Sequence, residues 1–197
     1  MWVLRKEIAL RVGVALLSSL LFIFAFFNPS PLNAYYLHSA LLLFSFAVLF
    51  TKVREVVIPK NIFVLLRETF FCLLAIVFLG VLVSILAYFL GVNDVYKVTE
   101  KVEGFGVFLV FMAVFFVPIS EELFFRAFLT ERIGIVPSAV VFGLAHFSYG
   151  SVVEILGAFV IGLVFGYFYK RNKSISQNIL AHVIFNVCSI AIVKSFY

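Results

Sequence analysis

The chain has few charged residues and only two cysteines. Asp, Glu, Lys and Arg together make up 13% of its 197 residues. Neither Cys72 nor Cys188 has the neighbours expected of a metal site or a structural disulfide. We interpret both as small buried hydrophobic side chains. The sequence shows no low-complexity tract, no repeat and no appended soluble domain, so we predict one domain over residues 1–197.

Long segments of the chain contain no charged residue at all. These charge-free segments are 12–51, 69–93, 104–120, 133–153, 155–169 and 174–193. A membrane-spanning helix needs about 20 apolar residues, and about 17 is a practical minimum. The first segment is too long for one span, and its Asn28-Pro29-Ser30-Pro31 sequence divides it because proline interrupts helices. The composition, 64% hydrophobic with 27 Phe, exceeds the roughly 45–50% of a soluble domain.

The sequence therefore predicts an all-α, polytopic transmembrane helical bundle. We expect about seven helices, with six or eight as alternatives. They are placed near 8–27, 34–51, 68–91, 105–132, 136–149, 151–169 and 174–195. The first is interpreted as an uncleaved span, because no small-x-small cleavage site follows it.

The net charge of +5 reflects membrane orientation, and we predict no nucleic-acid partner. With the N-terminus in the cytoplasm, only Lys97, Lys101 and Lys194 lie on the outer side. The other 12 of the 15 basic residues lie on the inner side: Arg5, Lys6, Arg11, Lys52, Arg54, Lys60, Arg67, Arg126, Arg132, Lys170, Arg171 and Lys173. This positive-inside asymmetry predicts a cytoplasmic N-terminus. Segment 52–67, on the inner side, is interpreted as a cytoplasmic surface stretch that could meet anionic lipid.

Two adjacent carboxylates lie in the fourth predicted helix. Residues four apart share a helix face, so Glu122 and Arg126 are expected to form an ion pair. Glu121 lies about 100° around the helix and has no such partner. A buried carboxylate without a counter-ion is a candidate for accepting and returning a proton. The alternative is that these residues are solvated charges at the cytoplasmic end of the helix.

Two later helices carry further polar residues at a similar depth. His146 lies in one, and His182 and Asn186 share a face of the other. Counted along their helices, Glu121, His146 and His182 lie roughly 12–17 Å from the predicted cytoplasmic boundary. His38 has no polar neighbour on its own helix face, and we interpret it as a core histidine.

Several protease classes do not fit the sequence. A membrane aspartyl protease needs two Asp residues, and this chain has only Asp94. No His-Glu-x-x-His motif and no Gly-x-Ser-Gly motif is present. Two kinds of catalytic site remain: a set of glutamate and histidine residues that activates water, or the same residues holding a metal.

Three polar motifs follow one another within residues 105–195. They are Glu121-Glu122-x-x-x-Arg126, Phe142-x-x-x-His146 and His182-x-x-x-Asn186. Together they resemble the signature of the CPBP family, which contains CAAX proteases and bacteriocin-processing enzymes. The resemblance is to the type II CAAX prenyl endopeptidases in particular, and it implies an intramembrane endopeptidase.

The resemblance also implies roles for individual residues. Glu121 and His146 would activate the attacking water, while His182 and Asn186 would stabilise the oxyanion. A structural and electrostatic supporting role would fall to two residues, Glu122 and Arg126. Members of this family have often been called metal-dependent, and zinc could be held by such donors. We expect no metal cofactor, because an Asn is a better oxyanion donor than zinc ligand.

We therefore expect a cavity opening toward the cytoplasm and a membrane-presented peptide substrate, such as a prenylated CAAX-type tail. The alternatives are a non-enzymatic membrane protein, such as an immunity factor or scaffold, and then a transporter. Two other features have structural interpretations. Gly162-x-x-x-Gly166 is interpreted as a helix-packing stripe, with a lipid-tail path as the alternative, and Glu154 as an interfacial residue.

Overall fold

The structure is a computed structural model that describes residues 13, 20, 33–49, 52–58 and 61–196. The predicted first helix, 8–27, falls almost entirely outside these residues. The helices of the described part are α1 (Asn33–Leu49), α2 (Val53–Val57), α3 (Ile62–Phe89), α4 (Tyr96–Glu103), α5 (Val107–Ile133), α6 (Ile135–Ala145), α7 (Val152–Asn172) and α8 (Ser176–Phe196).

Four of these helices, α3, α5, α7 and α8, are long and apolar enough to cross a membrane. Helices α1 and α6 are shorter, and α6 continues as a 3-10 turn, His146–Tyr149. No strand occurs in the part of the chain that the structure describes. The predicted all-α membrane bundle is confirmed, and each of the six predicted helices after the first matches an observed one.

Helix α3 begins earlier than the sequence predicted. The Asn61 side chain accepts hydrogen bonds from the backbone N–H groups of Phe63 and Val64, and this cap starts the helix at Ile62. The predicted surface stretch 52–67 therefore includes the first turns of a span. Glu68 is tolerated in the span because Arg67 Nη2 lies 2.7 Å from its carboxylate.

Helices α6 and α7 pack closely at glycines. A Cβ atom on Gly143 would lie 2.9 Å from Ile155 O, and one on Gly166 would lie 2.7 Å from Ile135 Cγ2. Both distances are too short for a side chain, so these positions require glycine. This contact supports the packing interpretation of the glycine stripe.

The two cysteines have different environments. Cys72 is fully buried in a cluster with Phe165 and Ala181, as predicted. Cys188 is exposed on the outside of the described bundle, so its predicted burial was wrong. Sequence alone does not separate the two cases because α8 is apolar on its lipid-facing side as well as its core side.

Helix α5 is not a regular α-helix. Residues Met112–Phe116 and Glu122–Thr130 form π-helical segments, which flank the α-helical turn Val117–Glu121. A π-helix closes i to i+5 hydrogen bonds and redirects the side chains that follow it. The Oγ atoms of Thr130 and Ser138 both donate to Phe125 O, at 2.7 Å. The irregular backbone thus occurs where the two carboxylates lie.

Candidate active site

Glu122 lies at the centre of a buried polar cluster. Arg126 Nε donates to its Oε2 at 3.2 Å, as the sequence predicted for this pair. Asn178 Nδ2 donates to the same oxygen at 3.2 Å. His182 Nδ1 lies 3.5 Å from the other oxygen, Oε1. Glu122 is fully buried. Through these contacts it fixes the positions of side chains from α5 and α8.

Arg126 is held among aromatic rings as well as by Glu122. Its guanidinium carbon lies 4.5 Å from the ring centre of Phe142 and 5.5 Å from that of Phe165. The Nη1 and Nη2 atoms form no hydrogen bond within the described residues, and the side chain is fully buried. Cation–π contacts are strongest when desolvated, as here. The site thus keeps a positive charge beside Glu122 without water.

Glu121 points to a different set of side chains. Its Oε2 lies 3.8 Å from His182 Nε2, and its Oε1 lies 3.9 Å from His38 Nε2. The residue is 6% exposed, and Oε2 has no hydrogen-bond partner among the described residues. Two atoms this far apart can each lie about 2.8 Å from one water oxygen. Glu121 is therefore the carboxylate that can share a water with imidazole.

His38 belongs to this cluster, although the sequence interpretation left it out. Its Nδ1 lies 3.0 Å from Ser120 Oγ, and the Ser120 hydroxyl donates to Val117 O at 2.9 Å. Since that proton is already used, Ser120 Oγ accepts from His38 Nδ1–H. In the neutral ring, Nε2 is then an acceptor directed at Glu121. The sequence of α1 alone does not indicate that His38 belongs to this cluster, because its polar partners lie on α5.

His146 lies apart from the Glu121 carboxylate. Its Nδ1 is 2.9 Å from Phe142 O, which orients the ring at the end of α6. Its ring also stacks on Tyr149, with 6.1 Å between centres. Among the described residues, the ion-pair contacts of Glu121 within 4.0 Å are made by His38 and His182 and not by His146.

Asn186 is positioned by the first π-helical segment of α5. Its Nδ2 donates to Ala113 O at 2.8 Å, which leaves one amide proton for another partner. Asn178, His182 and Asn186 recur at intervals of four on α8 and so share one face. Sequence reasoning found the last two. It missed Asn178, which also donates to Phe165 O at 2.8 Å.

A cavity of about 800 Å³ reaches the three polar residues His146, His182 and Asn186. Its walls come from α3, α4, α6, α7 and α8 and are mostly apolar. From His182, the lining extends to Phe89 and Val95, at the end of the bundle near α4. The basic residues Lys170, Arg171 and Lys173 lie at the opposite end of α7. The predicted cytoplasmic opening and the predicted positive-inside orientation therefore cannot both hold for this cavity.

The described donors do not form an evident metal site. No group of three or more His, Cys, Asp or Glu side chains with a metal-binding arrangement occurs in the described ranges. His38 Nε2 lies 3.9 Å from Glu121 Oε1, and His182 Nε2 lies 3.8 Å from Glu121 Oε2.

Residues 103–188 match the family described as type II CAAX prenyl endopeptidase Rce1-like. No curated protein and no solved structure matches the chain. The matched segment contains all three polar motifs, together with helices α5, α6 and α7 and most of α8. Residues 103–188 are thus similar to the Rce1-like family of CAAX-type membrane proteases.

Proposed function

We propose that the protein is an intramembrane endopeptidase that hydrolyses a peptide bond with a water activated by Glu121. The observation that carries the proposal is the buried Glu121 carboxylate, which has imidazole Nε2 atoms 3.8 and 3.9 Å from its two oxygens. A carboxylate beside imidazole, away from bulk water, is suited to general base catalysis. The match of residues 103–188 to the Rce1-like family supports protease chemistry at these motifs.

The tautomer of His38 supports a water between its Nε2 atom and the Glu121 carboxylate. Because Nδ1–H is directed to Ser120, the Nε2 lone pair faces the Glu121 oxygen. Two acceptors 3.9 Å apart need a donor between them, and a water can donate one proton to each. Its lone pairs then point away from both acceptors, toward a substrate carbonyl. Transfer of a proton to Glu121 during attack leaves a hydroxide equivalent bonded to that carbon.

His182 and Asn186 are suited to stabilise the oxyanion that this attack produces. Both line the cavity, and imidazole and amide N–H groups are donors of the kind that an oxyanion hole uses. The second Asn186 amide proton is not used by Ala113. One oxyanion donor contributes about 3–4 kcal/mol to transition-state stabilisation. Glu122, Arg126 and Asn178 act as positioning residues, because they hold His182 without lining the cavity.

His146 lines the same cavity and is proposed to share water activation with Glu121, as the family resemblance implies. Its Nδ1 is engaged with Phe142 O, so Nε2 is its acceptor nitrogen in the neutral ring. That nitrogen can receive the proton that must later reach the leaving amine. The substrate class proposed from the family is a membrane-presented peptide, including prenylated CAAX-type tails.

Purified protein in lipid nanodiscs, incubated with lipidated and plain peptides, tests this function. We expect Glu121→Gln to reduce hydrolysis by at least about 10³-fold, because the base is lost. Glu55→Gln, the same change at an exposed residue of α2, is the matched control and should retain activity. Chelators should leave wild-type activity unchanged. Full activity in Glu121→Gln would refute the mechanism, while chelator-sensitive activity restored by zinc would show a metalloenzyme.

A folded wild-type protein that cleaves none of the peptides, yet binds one in a manner that depends on His182 and Asn186, would favour the non-enzymatic scaffold alternative. Thermal unfolding measured on the same samples separates loss of function from loss of fold.

A further inference from the structure

The charge inside the cavity has one sign. Among the described residues that line the cavity, Glu154 is the only acidic side chain, and none is a Lys or Arg. The remaining polar groups near it include His146, His182 and Asn186. The sequence interpretation placed Glu154 at the membrane interface, and in the structure it lies in the first turn of α7 and lines the cavity.

The lysines at this end of the bundle do not neutralise Glu154. Lys97 Nζ donates to Gly150 O at 3.0 Å, and Lys101 Nζ donates to Ser148 O. Lys194 Nζ donates to Phe105 O at 3.0 Å. Each of these ammonium groups is thus held by a backbone carbonyl, and none of them lines the cavity.

In the part of the chain that the structure describes, the Glu154 carboxylate makes no hydrogen bond or ion pair, and the basic group that acts on it electrostatically is the His146 imidazole. Its backbone N–H donates to Ser151 Oγ at 3.1 Å, so the cap of α7 does not use the side chain. A charged group in an apolar cavity is costly unless it is paired. A ligand that brings a positive group would supply the missing partner.

We propose that the cavity selects an apolar peptide with a basic side chain within a few residues of the cleaved bond, and that Glu154 is the residue that recognises it. This inference rests on the proposed hydrolytic function. An acidic side chain beside the cleaved bond would instead meet the like charge of Glu154, which disfavours such a peptide.

The experiment uses three peptides that differ at one position beside the cleavage site, with Lys, norleucine or Glu. All three are made with the same C-terminal group. For the wild-type protein in nanodiscs, we expect kcat/KM to fall in the order Lys, norleucine, Glu, by about tenfold per step.

Variants then assign the preference to Glu154. In Glu154→Gln the advantage of Lys over norleucine should disappear, and in Glu154→Lys the Glu peptide should become the best of the three. Glu100→Gln removes an exposed carboxylate from α4, at the same end of the bundle, and should keep the wild-type order. If Glu154→Lys does not fold, the wild-type order and the Glu154→Gln result still decide the question.

The outcomes separate the two proposals. Equal hydrolysis of the three peptides, or an unchanged order in Glu154→Gln, would overturn the role of Glu154 while leaving the hydrolase in place. If no peptide is cleaved, the proposed function fails, and binding of the fluorescently labelled peptides provides the second measurement. Tighter binding of the Lys peptide, lost in Glu154→Gln, would support the recognition site, and equal binding of all three would refute it.

Discussion

Arg126 and Glu122 illustrate how a buried charge pair is made tolerable. Arg126 Nε bonds to Glu122, while the rest of the guanidinium faces the Phe142 ring at 4.5 Å. Both side chains are fully buried. A buried pair contributes little net stability compared with an apolar replacement, but removing one member leaves the other charge exposed to an apolar interior. The Glu122 carboxylate that the pair holds in place also lies 3.5 Å from His182 Nδ1.

Arg126→Ala should lower the free energy of unfolding by about 3–5 kcal/mol, because Glu122 would keep an uncompensated buried charge. Thermal unfolding in detergent measures the effect, and activity should fall with it. Arg132→Ala is the matched control. Arg132 also lies over a phenylalanine ring, 3.9 Å from the centre of Phe128, but it is exposed. An Arg126→Ala protein as stable as wild type would show that the pair is not essential to the fold.

The residues of the site were predictable where their partners lie on the same helix. The spacing of Glu122 and Arg126 predicted their ion pair, which is confirmed at 3.2 Å. His38 lies in the core, as interpreted, but its contacts were not predictable because Ser120 and Glu121 approach it from another helix. Helix rotation and packing decide such contacts, and neither can be derived from periodicity in a helix that is apolar on all sides.

At the scale of helices, the start of α7 is fixed by a residue from the distant connection between α3 and α4. Asp94 Oδ2 accepts from the backbone N–H of Val152 at 2.6 Å, and Oδ1 accepts from Val153 N–H at 3.3 Å and Ser151 Oγ at 2.8 Å. Chiefly through the Val152 N–H, these donors hold the pKa of Asp94 below its usual value. The sequence predicted the span but not this cap, which joins residues 57 or more positions apart.

Asp94→Ala should lower Tm by about 2–4 °C at neutral pH, because the first turn of α7 loses its acceptor. A carboxyl group with a lowered folded-state pKa stabilises the fold above its unfolded pKa, and this contribution is lost as the pH falls through the folded pKa. The Tm difference should therefore be full near pH 7 and shrink below about pH 4. Asn93→Ala is the neighbouring control. A Tm difference that is independent of pH would show that the charge of Asp94 does not matter.

At the scale of the whole molecule, hydropathy was sufficient to predict the bundle but not the position of its cavity. The spans follow from the length of the apolar segments, and four are confirmed. The cavity depends on where α3, α7 and α8 diverge, and it lies toward α4. The basic residues lie at the other end, where Glu131 pairs with Lys170 and Lys173 at 3.0 and 2.9 Å. An experiment is therefore needed to determine which side of the membrane the cavity faces.

Cysteine labelling decides which side of the membrane the cavity faces. In a Cys188→Ala background, with Cys72 buried in the core, Thr99→Cys reports on the cavity wall and Glu55→Cys on the basic end. The positive-inside rule places Glu55 in the cytoplasm. We therefore expect a membrane-impermeant maleimide to label the Thr99→Cys variant in intact cells and the Glu55→Cys variant only after permeabilisation. The reverse pattern would place the cavity on the cytoplasmic side and show that the distribution of basic residues does not set the orientation of this chain.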